Sequence, residues 1–286
     1  MSLTIFGGKG FVGRAYVDAH YHHAVGNIAS INERNDYKVH SEDVLYLIST
    51  ITNHNVFHDI HVDINTNLNL LMDVLKSWKE YQESTKTRGV FNFISSWSVY
   101  GNQKVLPVAE TAPCCEPKGF YIITKRCAEQ LLVSYCEMFG LKYRILRLCN
   151  ILGPDEKIDA TKNGLQYTFQ QLREGKDAKL FGDGMFYRDY MHVKDCARAI
   201  ELVIAKGNAN EIYNIGNGKT WYYRDIVNYA AQLLNTGAKG VYVEPNAFQK
   251  TVPVSSFYMD ITKLHNLGFV PEYTDTKLFK VVILGE

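Results

Sequence analysis

The sequence predicts an α/β fold, a doubly wound parallel sheet with a smaller mixed domain beside it. Three observations carry that expectation. An apolar run, Leu3-Thr4-Ile5-Phe6, enters a glycine loop at once, Gly7-Gly8-Lys9-Gly10-Phe11-Val12-Gly13. Apolar stretches of strand length (27–31, 43–48, 91–94) alternate with longer stretches of helical period. Alternation of that kind builds parallel sheets covered on both faces. Finally, Tyr121 and Lys125 open one of the helical stretches, after a serine-rich strand end and a loop holding Pro107, Pro113 and Pro117.

At 286 residues the chain has room for one large domain or two joined ones. A net charge of +1 and a hydrophobic share of 46% give a real core and exclude the charge profile of a nucleic-acid binder. No apolar run approaches the ~20 residues of a membrane span. Met1 leads almost directly into a strand, so no secretory leader is expected. Six cysteines without a C-x-x-C spacing, with Cys114 and Cys115 adjacent, argue against a disulfide framework or a zinc site. They are expected as reduced thiols of a cytoplasmic protein.

Taken in order, the first strand and the helix predicted to about His23 flank Gly7, Gly10 and Gly13. Glycines there allow a tight turn and let a pyrophosphate approach backbone N–H groups at a helix N-terminus, where Phe11 and Val12 lie. After the first strand of a chain, that placement is a dinucleotide signal. The second strand, 27–31, should end at the adenosine ribose. An acid there accepts from the 2′-OH and an arginine suits a 2′-phosphate. Asn32, Glu33 and Arg34 offer both, and Lys9 adds a second phosphate partner, which tilts the expected cofactor from NAD towards NADP. Residues 36–39 read as a third strand and 43–48 as a buried one. The gap between them is too short for a crossover helix, so a helix and part of a strand are trimmed. Ser49 and Thr50, at the strand end, should lie near the nicotinamide half of the cofactor.

His54, His58 and His61 have a metal-like spacing for a helix, but with no carboxylate partner they read as a polar face, and no metal is expected. Residues 63–79 form an amphipathic helix, and 80–88 its end and a loop. The strand at 91–94 ends in Ser95-Ser96-Trp97-Ser98-Val99-Tyr100-Gly101. Beyond the loop, the helix running to about Met138 places Tyr121 and Lys125 on one face. A free tyrosine, with a pKa near ~10, is a poor base at neutral pH. A lysine cation one turn away favours the phenolate. A strand-end serine hydroxyl can hold the substrate oxygen whose proton moves. Ser, Tyr and Lys together suit hydride transfer between an alcohol carbon and a nicotinamide. Further on, 162–174 reads as a helix, 178–181 as a strand, 193–205 as a helix, and Thr220 as the cap of a helix over 221–234.

The glycine loop, Ser95-Ser96-x-x-Val99-Tyr100-Gly101 and Tyr121-x-x-x-Lys125 together resemble the extended short-chain dehydrogenase/reductases, and within them the nucleotide-sugar epimerase/dehydratase family. The likeness continues through Leu146-Arg147-Leu148-Cys149-Asn150-Ile151-Leu152-Gly153-Pro154, Arg188-Asp189-Tyr190-Met191-His192-Val193-Lys194-Asp195 and Ile212-Tyr213-Asn214-Ile215-Gly216. It covers nearly the whole chain.

The resemblance implies roles. Ser96 stands at the catalytic Ser/Thr position, Tyr121 would be the acid/base, and Lys125 would hold the nicotinamide ribose. Ser98, Asn150, Gly164 and Leu165 would border the substrate. Arg188 would clamp a nucleotide diphosphate through its bidentate fork, with Lys250 as a second cation. Asp189, His192 and Asp195 are expected to be structural. Residues 1–152, 187–216 and 250–262 would form the Rossmann cofactor domain, and 153–186, 217–249 and 263–286 the nucleotide-sugar domain.

Departures narrow the chemistry. The family's 4,6-dehydratases carry Asp-Glu after the catalytic Ser/Thr, where this chain has Trp97 and Ser98. The cysteine of its epimerase/reductases falls at Ser98. Hydride chemistry at C4 of a nucleotide sugar is what remains. Epimerisation is the leading expectation, an NADPH-dependent 4-ketoreductase the alternative, and a catalytically silent NAD(P) sensor the alternative of another class. Surplus apolar residues on the helices near 63–79 and 121–138 imply a homodimer, as in the family.

Overall fold

The computed structural model describes residues 3–20, 30–31, 37–115, 118–158, 164–181, 183–244 and 256–286. The central sheet is built from β1 (Leu3–Phe6), β2 (Ser30–Ile31), β3 (Asp43–Tyr46), β4 (Val90–Ser96), β5 (Lys142–Leu148) and β9 (Glu211–Ile215). These six strands run parallel in the order β2-β1-β3-β4-β5-β9. Side chains alternate between the faces, as the two-residue period of a strand requires. Ile5, Leu45, Ile94 and Leu146 turn towards one core, with Tyr16 of α1 (Phe11–His20) and Cys196 and Ile200 of α6 (Val193–Lys206). Phe6, Tyr46, Phe93 and Ile145 turn the other way. They meet Leu71, Leu75 and Trp78 of α3 (Leu70–Thr85) and Ala128 and Leu132 of α4 (Phe120–Phe139).

The connection from β2 to β3 crosses β1 within residues 32–42. Where a third strand was expected, the described part of that stretch, 37–42, is an irregular strap. Asp36 lies outside the described residues. Side chains hold the strap in place of a ladder. The Thr4 and Ser41 hydroxyls lie 2.6 Å apart, and the His40 N–H donates to Thr4 Oγ1 at 3.0 Å. Trp78 Nε1 and Gln82 Nε2 both donate to the Glu42 carbonyl, at 2.7 and 2.6 Å. Buried Val39, with Tyr37 packed against the same core, fills space that a crossover helix would cover. The same bonds correct the boundary expected at residue 80. Gln82 also accepts from the Gly89 N–H at 2.8 Å, which keeps α3 helical to Thr85 before Lys86 ends it at φ 57°.

Upstream of α3 come a short 3-10 turn, Asn53–Phe57, the helical turn α2 (Val62–Ile64) and a π turn, Asn65–Asn69. His54, His58 and His61 are spread over these pieces, so the helical spacing they show in sequence does not arise. Among the described residues, no group of three or more His, Cys, Asp or Glu is arranged to hold a metal ion. No helix among them is long and apolar enough to cross a membrane.

A second core gathers α5 (Gly164–Arg173), β7 (Ala178–Phe181), α7 (Tyr223–Leu234) and α9 (Asp275–Leu284), the last preceded by the short helix α8 (Thr262–Asn266). β11 (Gly240–Val243) pairs with β7, and a small sheet runs in the order β10 (Thr220–Tyr222), β8 (Tyr187–His192), β6 (Asn150–Leu152). Thr220 is therefore not a helix cap, and Trp221 does not open a helix. Pairing of Trp221 with Arg188 across β10 and β8 wins over helix start, and the Trp221 ring stands edge-on to Phe279 at 5.3 Å.

Asp189, His192 and Asp195 are structural, as expected. Asp189 accepts from the Asn217 N–H at 2.9 Å and the Gly218 N–H at 3.3 Å, and burial pushes its carboxyl up to about 6 against those bonds. His192 Nδ1 caps α6 by accepting from the Lys194 N–H at 3.3 Å. Asp195 receives the Glu272 and Tyr273 N–H groups.

Candidate active site

The carboxyl ends of the central strands open into a cleft of about 1370 Å³. That exceeds the ~300–1,000 Å³ of a single small-molecule site, so it has room for a dinucleotide and a second ligand. On its cofactor side, β1 turns into α1 through glycines that geometry demands. Gly7 has φ +87°, and a Cβ on Gly13 would stand 2.2 Å from the Gly7 carbonyl oxygen. The first amides of α1, which helix geometry leaves unpaired, border the cleft at Phe11, Val12 and Gly13. This cradle fits the pyrophosphate of a dinucleotide.

β3 brings Ser49 and Thr50 to the same cleft. Asn67 of the π turn fixes them: it accepts from the Thr50 N–H at 2.9 Å and Ser49 Oγ at 3.1 Å. Its amide donates to Thr50 Oγ1 at 2.8 Å and to Thr124 Oγ1 of α4 at 2.9 Å. Thr50 Oγ1 donates to Asp63. Sequence reading missed Asn67 and Asp63, because a polar residue inside an amphipathic pattern carries no sign of what it will bind.

β4 ends at Ser96, whose Oγ accepts from the Ser98 N–H at 3.2 Å and so caps the 3-10 turn Trp97–Tyr100. Ser96 Oγ and Ser98 Oγ lie 2.9 Å apart. Helix α4 begins beside this turn and places Tyr121 and Lys125 in the cleft with Ser96 and Ser98. Burial raises the pKa of the Tyr121 phenol, and a hydrogen bond with the Ser96 hydroxyl opposes that rise. The lowering expected from Lys125 is not the governing effect. The ammonium instead donates to the Ile94 carbonyl at 2.6 Å and lies 4.2 Å from the Phe93 ring centroid. Burial brings Lys125 down to about 7, and the carboxylate of Glu129, one turn further on, pulls it back up.

On the far wall, Asn150 donates from its amide to the Asp189 carbonyl at 3.0 Å. Gly164 and Leu165 open α5 there. Arg188 enters the cleft from β8, its guanidinium carbon 4.4 Å from the Trp97 ring centroid. Its Nη1 is buried without a hydrogen-bond partner, and burial brings the guanidinium down to about 10. Among the described residues no carboxylate pairs with it.

Every described residue expected at the site thus borders one cleft: Gly7, Lys9, Gly10, Phe11, Val12, Gly13, Ser49, Thr50, Ser96, Ser98, Tyr121, Lys125, Asn150, Gly164, Leu165 and Arg188. Asn32, Glu33, Arg34 and Lys250 lie outside the described residues. Residues not foreseen include Arg14, which donates to the Asp155 carbonyl at 3.1 Å and ties the glycine-loop helix to the opposite wall. Its signal was available: a cation directly after the third glycine. Tyr223, which in sequence reads as packing at a helix start rather than a stacking surface, also borders the cleft, its hydroxyl 2.6 Å from Thr168 Oγ1 where α5 packs on α7.

The NAD dependent epimerase/dehydratase family matches residues 26–216. The chain belongs to that family. It is an enzyme of the extended short-chain dehydrogenase/reductase type. A protein named as a putative UDP-glucose 4-epimerase from Methanocaldococcus jannaschii is 24% identical, over 94% of this chain and 93% of its own length. The UDP-glucose 4-epimerase of Thermotoga maritima, solved with UDP-glucose, superposes with a TM-score of 0.84 at 24% identity, covering 100% of this chain and 98% of that one. RMD from Pseudomonas aeruginosa, solved with NADPH, gives 0.80 at 22% identity, covering 99% and 98%. At those identities the solved structures are likenesses of fold.

Proposed function

We propose that this epimerase/dehydratase family member is a nucleotide-sugar epimerase acting by reversible hydride transfer at C4 of the sugar. The observation that carries the reading is one cleft lined by Ser96, Tyr121 and Lys125 and also by Arg188, whose buried Nη1 has no hydrogen-bond partner among the described residues. The glycine cradle and Lys125 would hold the nicotinamide dinucleotide, and a bound nicotinamide supplies hydride acceptance and return. Tyr121, as the phenolate that the positive charge of a bound nicotinamide would favour, would take the C4 hydroxyl proton as the C4–H hydride leaves, so C4 would become a ketone. Ser96 holds that oxygen. After the 4-keto sugar has turned over, the hydride returns to its other face and Tyr121 returns the proton. Arg188 keeps hold of the diphosphate throughout, which lets the sugar turn without leaving.

A 4-ketoreductase is the second reading. It is favoured by Lys9 beside the glycine cradle, by Arg34 in the sequence after β2, and by the short β2–β3 connection, all of which suit an exchangeable NADP. Trp97 and Ser98 supply no acid/base pair for elimination of water, so 4,6-dehydration is the least supported of the family's reactions. The expected assembly is a cytoplasmic homodimer through α3 and α4. On α4, Leu131 and Met138 are 40% and 73% exposed, which leaves apolar surface for a partner. Light scattering that reported a monomer at micromolar concentration would remove the dimer.

The test is to assay UDP-, dTDP-, CDP- and GDP-linked hexoses for epimerisation, with the bound nucleotide of the purified protein identified first. Tightly held NAD supports the epimerase; a site that takes up NADPH supports the reductase. Tyr121→Phe should cut turnover ~10²–10⁴-fold while ligand binding survives. Near wild-type turnover in that variant would sink the catalytic assignment.

A further inference from the structure

Arg188 and Trp97 are 91 positions apart in sequence yet share one wall of the cleft. Both are set rigidly. Arg188 is the second residue of β8, paired with Trp221 in β10 on one side and bridged to Phe257 on the other. Trp97 opens the 3-10 turn that Ser96 caps, and its ring packs on Phe257 at 4.6 Å between centroids, tilted by 38°. The guanidinium carbon lies 4.4 Å from the indole centroid. Phe257 thus buttresses the indole and also bridges the strand that carries the arginine.

Two kinds of neighbour can hold a buried guanidinium. A carboxylate binds its N–H fork edge-on, the same edge a phosphate would use. An aromatic face attracts the cation from above and leaves the in-plane donors free. Here the second arrangement is built. Among the described residues Arg188 has no ion pair or side-chain hydrogen bond, and its Nη1 is buried without a partner. A carboxylate at position 97 would compete for that edge.

We infer that Trp97 is the positioning residue for Arg188: its ring braces the guanidinium from one face so that the N–H edge stays unspent for the phosphate oxygens of a nucleoside diphosphate. The inference rests on the reading of Arg188 as a diphosphate clamp.

The experiment compares wild type, Trp97→Phe, Trp97→Leu, Arg188→Met and the Trp97→Leu/Arg188→Met pair, using calorimetric titration with UDP, dTDP, uridine and thymidine. Trp97→Leu should weaken diphosphate binding about tenfold, the scale of a desolvated cation–π contact. Trp97→Phe, which keeps a smaller aromatic face, should recover most of that loss. Uridine and thymidine, which lack the phosphates, should bind all forms alike. In the double variant Trp97→Leu should add nothing to Arg188→Met, because the brace has nothing left to hold. Equal losses for UDP and uridine, or for Phe and Leu at position 97, would overturn the inference in favour of base stacking or plain packing.

The brace also reads out without any ligand. The Arg188 Nε–H proton, on a guanidinium whose carbon lies 4.4 Å from the indole centroid, should shift in the NMR spectrum of Trp97→Leu and stay near its wild-type place when Trp78 is changed to Phe. No shift in Trp97→Leu overturns the brace. A clear shift in a protein that binds no nucleoside diphosphate upholds the brace and removes the nucleotide-sugar reading instead.

Discussion

Two of the arginines that lie against aromatic faces, Arg147 fully buried and Arg188 half-buried in the cleft, are finished in different ways. Arg147, in β5 under the cofactor half of the cleft, lies 4.4 Å from the Tyr100 ring, and Arg188 lies 4.4 Å from Trp97. Arg147 then meets a carboxylate: Nε and Nη2 donate to the two oxygens of Glu129 at 3.0 and 2.7 Å. Glu129 also receives Ser95 Oγ at 2.5 Å and Arg126 at 3.2 Å, while Tyr100 passes its hydroxyl on to Asn214 at 2.7 Å. Burial lowers the Arg147 pKa, but the pair with Glu129 outweighs it and the net shift is upward. For Arg188 nothing of that size opposes burial. The first arginine is ion-paired in a network that also fixes Ser95, although its Nη1, like that of Arg188, is buried without a hydrogen-bond partner. The second is the one proposed to bind the phosphates of a ligand. Proximity to a ring therefore does not separate a structural arginine from a binding one; the presence of a carboxylate does.

The largest effect expected from that contrast is on stability. Glu129→Ala leaves Arg147 charged and buried without its partner, which costs ~3–5 kcal/mol. Urea denaturation would show it as an earlier midpoint, and a loss under ~1 kcal/mol would mean that the Glu129–Arg147 pair does not hold this network together. Arg188→Met should do the reverse. It removes an uncompensated buried charge, so the midpoint holds or rises, while the dissociation constant for UDP or dTDP grows ~10-fold or more. Cofactor affinity should stay the same, because the glycine cradle is elsewhere. A midpoint that fell as far as in Glu129→Ala would erase the distinction between the two arginines.

A smaller effect sharpens the comparison through pH. Lys125 is held at about 7 by burial, with Glu129 opposing. Unfolded, its ordinary value is near ~10.4, so between about pH 7 and 10 the unfolded chain binds a proton that the folded one does not. Stability carried by this group therefore rises with pH across that window, and below about 7 its penalty is complete and constant. Urea midpoints at pH 7 and 9.5 should rise more in wild type than in Lys125→Met, the difference between the two isolating this residue from other titrating groups. Parallel changes would show that the lysine keeps its charge in the folded state throughout.

Much of this was legible in the sequence because it is local. The glycine loop, the serine-rich end of β4 and the Tyr121–Lys125 pair each lie within a few residues. Their geometry follows from the period of a strand, the period of a helix and the steric room that glycine leaves. Those motifs also predicted a doubly wound parallel sheet and the family, and both stand. What tertiary structure alone decided lies in contacts between distant segments. The missing crossover helix was legible in the short gap, but only the structure shows an irregular strap at 37–42 in place of the expected strand, with Trp78 and Gln82 holding the Glu42 carbonyl. Trp221 is a strand residue because β8 offers a ladder. Asn67 knits β3 to α4 from within a π turn, and Glu129 serves Arg147 rather than water. Among the described residues no carboxylate pairs with Arg188, and that depends on which side chains packing brings near it. Sequence periodicity reports which face of an element is buried; only the folded packing determines which polar groups on that face find partners.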